Sequence, residues 1–357
     1  LADPADPATA RRDLVTRSAE GPSSESVRFE PDGHGGWTVM LDGQPQSHVD
    51  LADPGLITFE YVQHFALAIG ACSPTAPAPL RLTHVGGAGL TLPRWAQHTR
   101  PGSPQIVLEP DAALTAAVRE RLPLPRGHRI RVRPLDGRTG VRGLATASAD
   151  VLVLDAYAAG RVPAELATPE FLADVARVLA PGGLLLANLA DEPGLRWAAR
   201  FLATLASVEG FGGPAVLAVL ATHDVLKGRR FGNLVAVASR GADDLANPAP
   251  TDAGPARSDS ARLSPTDAEA NRSGSARLSP TDAEANRPDS SGLSRTGDGQ
   301  PRLDLAALRR AGASAPIPTG IRSGPEVTRL IAGARPFADA DAQPSPVPPD
   351  PGAWRVR

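Results

Sequence analysis

The run Thr83-His84-Val85-Gly86-Gly87-Ala88-Gly89 ends a β-prone stretch in a cluster of glycines, and Glu109 follows about 20 residues later, at the end of the next such stretch. Gly86, Gly87 and Gly89 let the backbone turn tightly and approach a ligand, and a carboxylate at that spacing is placed to hydrogen-bond ribose hydroxyls. Leu92 stands where a dinucleotide fingerprint needs its third glycine, and Pro93 opens the helix. The pattern therefore points to a nucleoside ligand without a pyrophosphate, against the plainer reading of glycines as turn formers. Asp136-Gly137 closes a third β-prone run, where a ligand contact and a simple turn are equally good readings. Asp155 ends the apolar run Val151–Leu154, with Tyr157 just after it. A carboxylate at the mouth of a parallel sheet can hold a cationic substrate or accept its proton; the plain alternative is a strand-capping Asp.

These residues are useful only if strands deliver them to one edge, and the sequence between them has the alternation of βαβ units. Strands are expected at Arg81–Val85, Gln105–Leu108, Ile130–Arg133, Val151–Leu154, Leu184–Asn188, Val216–Ala221 and Leu234–Ala238, with helices at Leu92–His98, Ala112–Arg121, Thr168–Leu179 and Leu195–Ser207. The four-residue runs Val151–Leu154 and Leu184–Ala187 are apolar on both faces, as central parallel strands must be when helices cover each side. Pro181-Gly182-Gly183 stops the preceding helix, and the basic turn Lys227-Gly228-Arg229-Arg230 joins the last two strands as an antiparallel hairpin at the sheet edge. The expected fold is α/β: a doubly wound, mostly parallel Rossmann-like sheet of seven strands, with a small N-terminal β element and a disordered C-terminal insert.

Ahead of that domain, residues 1–26 read as a loose polar arm, and 27–58 as a small antiparallel β element built on Val27-Arg28-Phe29 and Trp37–Leu41. A helix over Phe59–Ile69 leads into the main domain, 59–239. Residues 240–302 form a polar insert in which Ser260–Arg272 recurs residue for residue as Ser275–Arg287. Neither copy has an apolar face to bury, which excludes a solenoid. Short amphipathic helices at Leu303–Ala311 and Pro325–Ala332 are expected in the tail, 303–357. With 37 Pro and 35 Gly among 357 residues, one core of about 200 residues is expected rather than two full domains.

Composition narrows the partners. A formal charge of −2 and no basic run interleaved with aromatics argue against nucleic acid. The single cysteine, Cys72, excludes an internal disulfide, and the seven His show no metal-ligand spacing, so no metal is expected. There is no apolar run of membrane-spanning length and no signal-peptide pattern at the first residues, so the default location is cytoplasmic, with no membrane partner.

Taken in order, Leu41-Asp42-Gly43-Gln44-Pro45-Gln46, Val85-Gly86-Gly87-Ala88-Gly89, Leu108-Glu109-Pro110-Asp111, Asp136-Gly137 and Val153-Leu154-Asp155-Ala156 resemble the spermidine synthase family, in particular its actinobacterial spermidine-synthase-like members. The resemblance covers about residues 35 to 239, and all but the first motif also occur generally in class I methyltransferases. It implies a transferase of polyamine biosynthesis that moves an aminopropyl group from decarboxylated S-adenosylmethionine to a polyamine acceptor. Carried over, Gln46 and the glycine loop contact the nucleoside, Glu109 its ribose, and Asp136 with Gly137 its adenine. Asp155 activates the attacking amine and Tyr61 lines the acceptor side; Tyr157, from its place two residues after Asp155, is a further substrate-binding candidate. A homodimer is implied as well.

The chain departs from the family where it matters. The family's second Asp, three positions after the first, is Ala158 here, the following Pro is Ala159, and the Asp within the glycine loop is Ala88. A dication meets one carboxylate instead of two, and each lost charge-assisted hydrogen bond costs on the order of 1.5–3 kcal/mol. The same cofactor pocket would serve an S-adenosylmethionine-dependent methyltransferase of unknown acceptor, or a noncatalytic nucleoside-binding relative.

Overall fold

In the computed structural model, residues 27–241 and 302–349 are described. The expected arm over 1–26 and the duplicated unit of the insert lie outside the described residues.

Three antiparallel strands, β1 (Val27–Pro31), β2 (Gly36–Leu41) and β3 (Gln44–Asp50), form a small sheet in the order β1-β2-β3. The expected β element thus has a third strand, Gln44–Asp50. Its polar start hides it from a pattern search, yet its last four residues are buried. Helix α1 (Glu60–Cys72) follows and buries Val62, Phe65 and Ile69. It runs three residues beyond the expected Phe59–Ile69, to Cys72, just ahead of Pro74.

The main sheet takes β4 (Leu82–Val85), β5 (Gln105–Leu108), β6 (Ile130–Arg133), β7 (Ala149–Leu154) and β8 (Leu179–Asp191) in parallel, then β9 (Leu217–Ala221) and β10 (Gly232–Ser239) as an antiparallel hairpin. An eighth strand, β11 (Gly320–Ser323), pairs with β9, so the order is β11-β9-β10-β8-β7-β4-β5-β6. The hairpin is therefore antiparallel as expected, but it is not the sheet edge. Four residues flanked by Thr319 and Gly324 are too short to carry a strand period, which is why the sequence does not announce β11. Likewise Pro181-Gly182-Gly183 lies inside the long strand β8, and the helix before it already ends at Val178.

Helices cover both faces. On one side Leu152, Leu154, Leu185 and Ala187 meet α4 (Gly137–Arg142), α5 (Pro169–Val178), α6 (Arg196–Ser207) and α9 (Pro325–Ile331) through Val141, Phe171, Phe201 and Val327. On the other, Val151, Val153, Leu184 and Leu186 meet α1, α2 (Thr91–Thr99) and α8 (Leu305–Ala313) through Phe65, Leu92 and Leu308. Successive residues of one strand point to opposite faces, and both are apolar here because both are roofed. Between β5 and β6 lies α3 (Ala112–Arg121), capped by the Asp111 side chain on the Leu114 N–H, and the short α7 (His223–Leu226) joins β9 to β10. Among the described residues, no helix is long and apolar enough to cross a membrane.

Candidate active site

The ladders of the parallel strands continue one residue past their ends: Gly86 N–H donates to Leu108 O at 2.9 Å, Asp155 N–H to Val85 O at 2.8 Å, and Glu109 N–H to Arg133 O at 3.1 Å. Gly86, Glu109 and Asp155 are thereby fixed side by side at the carboxyl edge of β4, β5 and β7, where ligands of open α/β sheets bind. Gly86 has φ +94°, and a Cβ there would lie 2.1 Å from the Asp155 carbonyl oxygen, so only glycine fits. Gly89 carries the loop onto the small sheet. Its N–H donates to Ser47 Oγ at 3.0 Å, and an added Cβ would lie 2.7 Å from Ser47 Cβ.

Glu109 closes the loop from the other side. One carboxylate oxygen accepts from Gly87 N–H at 3.0 Å and Ala88 N–H at 3.2 Å, and the second from Asp111 N–H at 3.0 Å. A carboxylate has roughly four lone-pair sites, so capacity remains for a further donor. The buried Arg94 guanidinium reaches back to Gly89 O at 3.2 Å and to the carbonyls of Leu122 and Pro123. Ser47 and Arg94 are two supports of the loop that sequence reasoning missed. Gln46 precedes Ser47 on β3 and is half-buried. Asp136 is exposed, and its carboxylate caps α4 by accepting from Thr139 N–H at 2.8 Å, which with Arg138 N–H holds it below the ordinary carboxylate range despite some burial. Gly137 is the first residue of that helix, and a Cβ there would meet Val85 Cγ1 at 2.5 Å.

Across β4 from Glu109, Asp155 meets two hydrogen-bond partners. Asn188, on β8, donates from Nδ2 to Asp155 Oδ1 at 2.9 Å, and the Tyr61 hydroxyl, from α1, also hydrogen-bonds the carboxylate. The Tyr157 hydroxyl donates to Asn188 O at 3.4 Å. Asp155, Tyr61 and Tyr157 are each partly exposed. Burial pushes the Asp155 carboxyl up to about 6, against the opposing pull of the Asn188 and Tyr61 hydrogen bonds. Burial, and then the nearby Asp155 charge, push both tyrosine hydroxyls well above their ordinary value, so they are donors at neutral pH. Asn188 is another residue that sequence reasoning missed; it lies inside an apolar run that reads as strand core.

Beyond Asp155 the chain makes a tight turn in which Ala158 and Arg161 exchange backbone hydrogen bonds at 2.9 and 3.1 Å. The C-terminal strap holds this turn. Ser345 Oγ accepts from Val162 N–H at 2.9 Å, Ser345 N–H donates to Val162 O at 3.1 Å, and Arg161 donates to the carbonyls of Pro344 and Ser345. The site residues therefore fall into two groups: Gly86, Gly87, Gly89 and Glu109 with Ser47 beside them, and Asp155, Tyr61 and Tyr157 with Asn188. The Asp136 side chain joins neither group. Among the described residues, no cluster of His, Cys, Asp and Glu could hold a metal ion.

The sheet order, the glycine turn after β4 and the acid after β5 define a doubly wound domain of the class I S-adenosylmethionine-dependent methyltransferase fold. Within that class the chain is similar to spermidine synthases. A probable spermidine synthase from Corynebacterium glutamicum superposes with a TM-score of 0.63 at 27% identity, covering 88% of this chain and 92% of that one. A polyamine aminopropyltransferase of Vibrio vulnificus is 28% identical over 114 residues, 31% of this chain, and the match spans 38% of the relative's length. A spermidine synthase from Thermotoga maritima, at 18% identity over 64% of this chain and 74% of that one, has a TM-score of 0.45 and adds nothing to the assignment. No family model matches the chain.

Proposed function

We propose that the chain transfers an aminopropyl group from decarboxylated S-adenosylmethionine to a small-molecule amine, with Asp155 receiving the proton. The observation that carries this reading is Asp155 itself: a carboxyl raised to about 6, at the carboxyl edge of β7, held by two neutral donors. A base near that value is mostly ionised at neutral pH and still a competent proton acceptor. Its neighbour at the edge, Gly86, has no room for a side chain because the Asp155 carbonyl lies against it, which sets the glycine loop beside Asp155. In this reading Gly86, Gly87, Gly89 and Gln46 hold the nucleoside, Glu109 its ribose, and Asp136 with Gly137 the side of the adenine. Tyr61 and Tyr157 line the acceptor crevice, and the whole site lies within the proposed domain 59–239 and its β element.

When bound, the sulfonium supplies an electrophilic methylene: the acceptor nitrogen forms a C–N bond as the C–S bond breaks, and the electron pair leaves with sulfur as neutral methylthioadenosine. Asp155 orients the amine and takes its proton. A second reading, methyl transfer from S-adenosylmethionine, draws on Ala158, which leaves the acceptor side with one carboxylate.

Calorimetric titration with S-adenosylmethionine, its decarboxylated form and methylthioadenosine, side by side, tests the proposal. The expected result is tightest binding of the decarboxylated form or methylthioadenosine, with Glu109→Ala weakening either at least tenfold. Preference for the intact form turns the reading to methyl transfer, and no binding of any of the three turns it to a noncatalytic relative.

A further inference from the structure

Arg94, on α2, is 5% exposed, and its guanidinium meets backbone carbonyls instead of a carboxylate. Nε donates to Gly89 O at 3.2 Å, one terminal nitrogen to Pro123 O at 3.1 Å and the other to Leu122 O. Burial pushes the group down to about 10, so it is still a cation at neutral pH. A buried charge is costly unless opposite charge meets it, and here the counter-charge is the negative end of a helix dipole: Leu122 is the C-cap of α3, and Pro123 follows it.

The remaining carbonyl belongs to the loop between β4 and α2, which turns left-handed at Gly86, at Ala88 (φ 38°) and at Leu90 (φ 62°). Two of these carry a side chain, and such residues hold that backbone only where their surroundings impose it. The contacts that impose it converge on the residue between them. Gly89 N–H is bonded to Ser47 Oγ and Gly89 O to Arg94, while Leu90 N–H closes the turn on Gly87 O at 2.7 Å. From the far side Glu109 holds the Gly87 and Ala88 N–H groups, and the chain runs from Glu109 through α3 to Leu122, where Arg94 joins it back to the loop.

We propose that Arg94 is a positioning residue of the nucleoside site, acting through the Gly89 carbonyl to keep Ala88 and Leu90 left-handed and the loop shaped before its ligand arrives. This deepens the reading of the glycine loop as the nucleoside cradle and rests on it. A loop already ordered loses less conformational entropy on binding, so removing the support lowers affinity. Lysine keeps the charge but offers one nitrogen where the planar fork spans from Gly89 to the end of α3. Methionine fills the space and leaves all three carbonyls without this donor.

The test is calorimetric titration of the full chain with methylthioadenosine, well below the unfolding midpoint, in the unaltered protein, Arg94→Met, Arg94→Lys and Arg94→Met combined with Ala88→Gly. Arg94→Met is expected to weaken binding at least tenfold and Arg94→Lys about fivefold. In the combined variant glycine adopts the left-handed backbone without strain, so the loss should shrink to about threefold, which a residue that merely filled space would not show. A folded Arg94→Met protein that binds within about twofold of the unaltered chain, or a loss that Ala88→Gly leaves as it was, overturns the proposal. If the methionine variant does not fold, Arg94→Lys decides: about fivefold weakening supports the assignment and a change within about twofold overturns it. If the unaltered chain binds no methylthioadenosine, it is the transferase reading that fails, and amide exchange judges Arg94 by itself. The Gly89 and Leu90 N–H groups should then exchange at least tenfold faster in Arg94→Lys than in the unaltered chain, and equal rates would overturn the proposal.

Discussion

The two halves of the site are built differently. The half made by β4 and β5 is local: Gly86, Gly87, Gly89 and Glu109 lie within about two dozen residues of one another and are tied together by backbone N–H groups. The half around Asp155 is assembled from afar, with Tyr61 on α1, Asn188 on β8 and the turn after Asp155 clasped by Ser345. A local site is specified by spacing along the chain. A distributed one is specified only by the fold, and each contributor looks ordinary in its own stretch of sequence.

The largest expected effect comes from the one residue that both halves share. Gly86→Ala would place a methyl group 2.1 Å from the Asp155 carbonyl oxygen, at a φ of +94° that L-residues rarely adopt. Strained backbone of this kind costs of order 1–3 kcal/mol before the clash is counted, so the loop and the end of β7 must separate. Calorimetry should show methylthioadenosine affinity reduced more than a hundredfold together with loss of amine binding, and thermal unfolding should move down by several degrees. Loss of one activity with retention of the other would show that the halves are less coupled than the shared contact requires.

The next effect separates them. Asp155 is raised to about 6 by burial, so lowering the pH through 6 protonates it while an alkylammonium keeps its charge. Amine affinity should therefore fall about tenfold per pH unit below 6, and methylthioadenosine affinity should stay level over the same range, since the glycine half does not use Asp155. The sign for stability is the opposite. Between the ordinary carboxylate value, about 4, and 6, the folded chain holds this proton more tightly than the unfolded chain, so this group's contribution to stability declines as pH rises through that window. Flat amine binding from pH 5 to 8, measured by the same calorimetry, would remove Asp155 from the acceptor site.

What the sequence made legible follows the same division. The central strands β7 and β8 were readable because a strand roofed on both faces must be continuously apolar, and the glycine loop because a tight turn next to an acid leaves a fixed spacing. Asn188 was not readable: within Leu184–Ala190 it is one polar residue in an apolar run, and only pairing of β7 with β8 brings it to Asp155. Ser47 and Arg94 were hidden for a similar reason, since each supports Gly89 from another element. At Asp136 the end of β6 leaves a ligand contact and a turn equally open in the sequence, because a helix N-cap uses the same residue type in the same place, and only the structure shows one carboxylate oxygen capping α4. The strand β11 and the strap to Ser345 depend on the chain returning across the sheet after the insert, and no local pattern encodes that.

The smallest expected effect concerns this strap. Ser345 is fully buried, and its hydroxyl is the acceptor for Val162 N–H, seven residues after Asp155. Ser345→Ala leaves that N–H unpaired, at a cost of about 1–3 kcal/mol. The strap itself should stay in place, because Trp197 Nε1 still donates to Gln343 O at 2.8 Å, Phe337 still packs on Trp197 with centroids 5.7 Å apart, and Arg200 still pairs with Asp341 at 2.8 Å. The turn is loosened rather than released, so the unfolding midpoint should drop by a few degrees and amine affinity should weaken about two- to threefold, with methylthioadenosine binding unchanged. The same drop in midpoint with unaltered amine affinity would mean that β7 alone holds Asp155 and Tyr157 in position, and that the strap secures the fold without shaping the acceptor half.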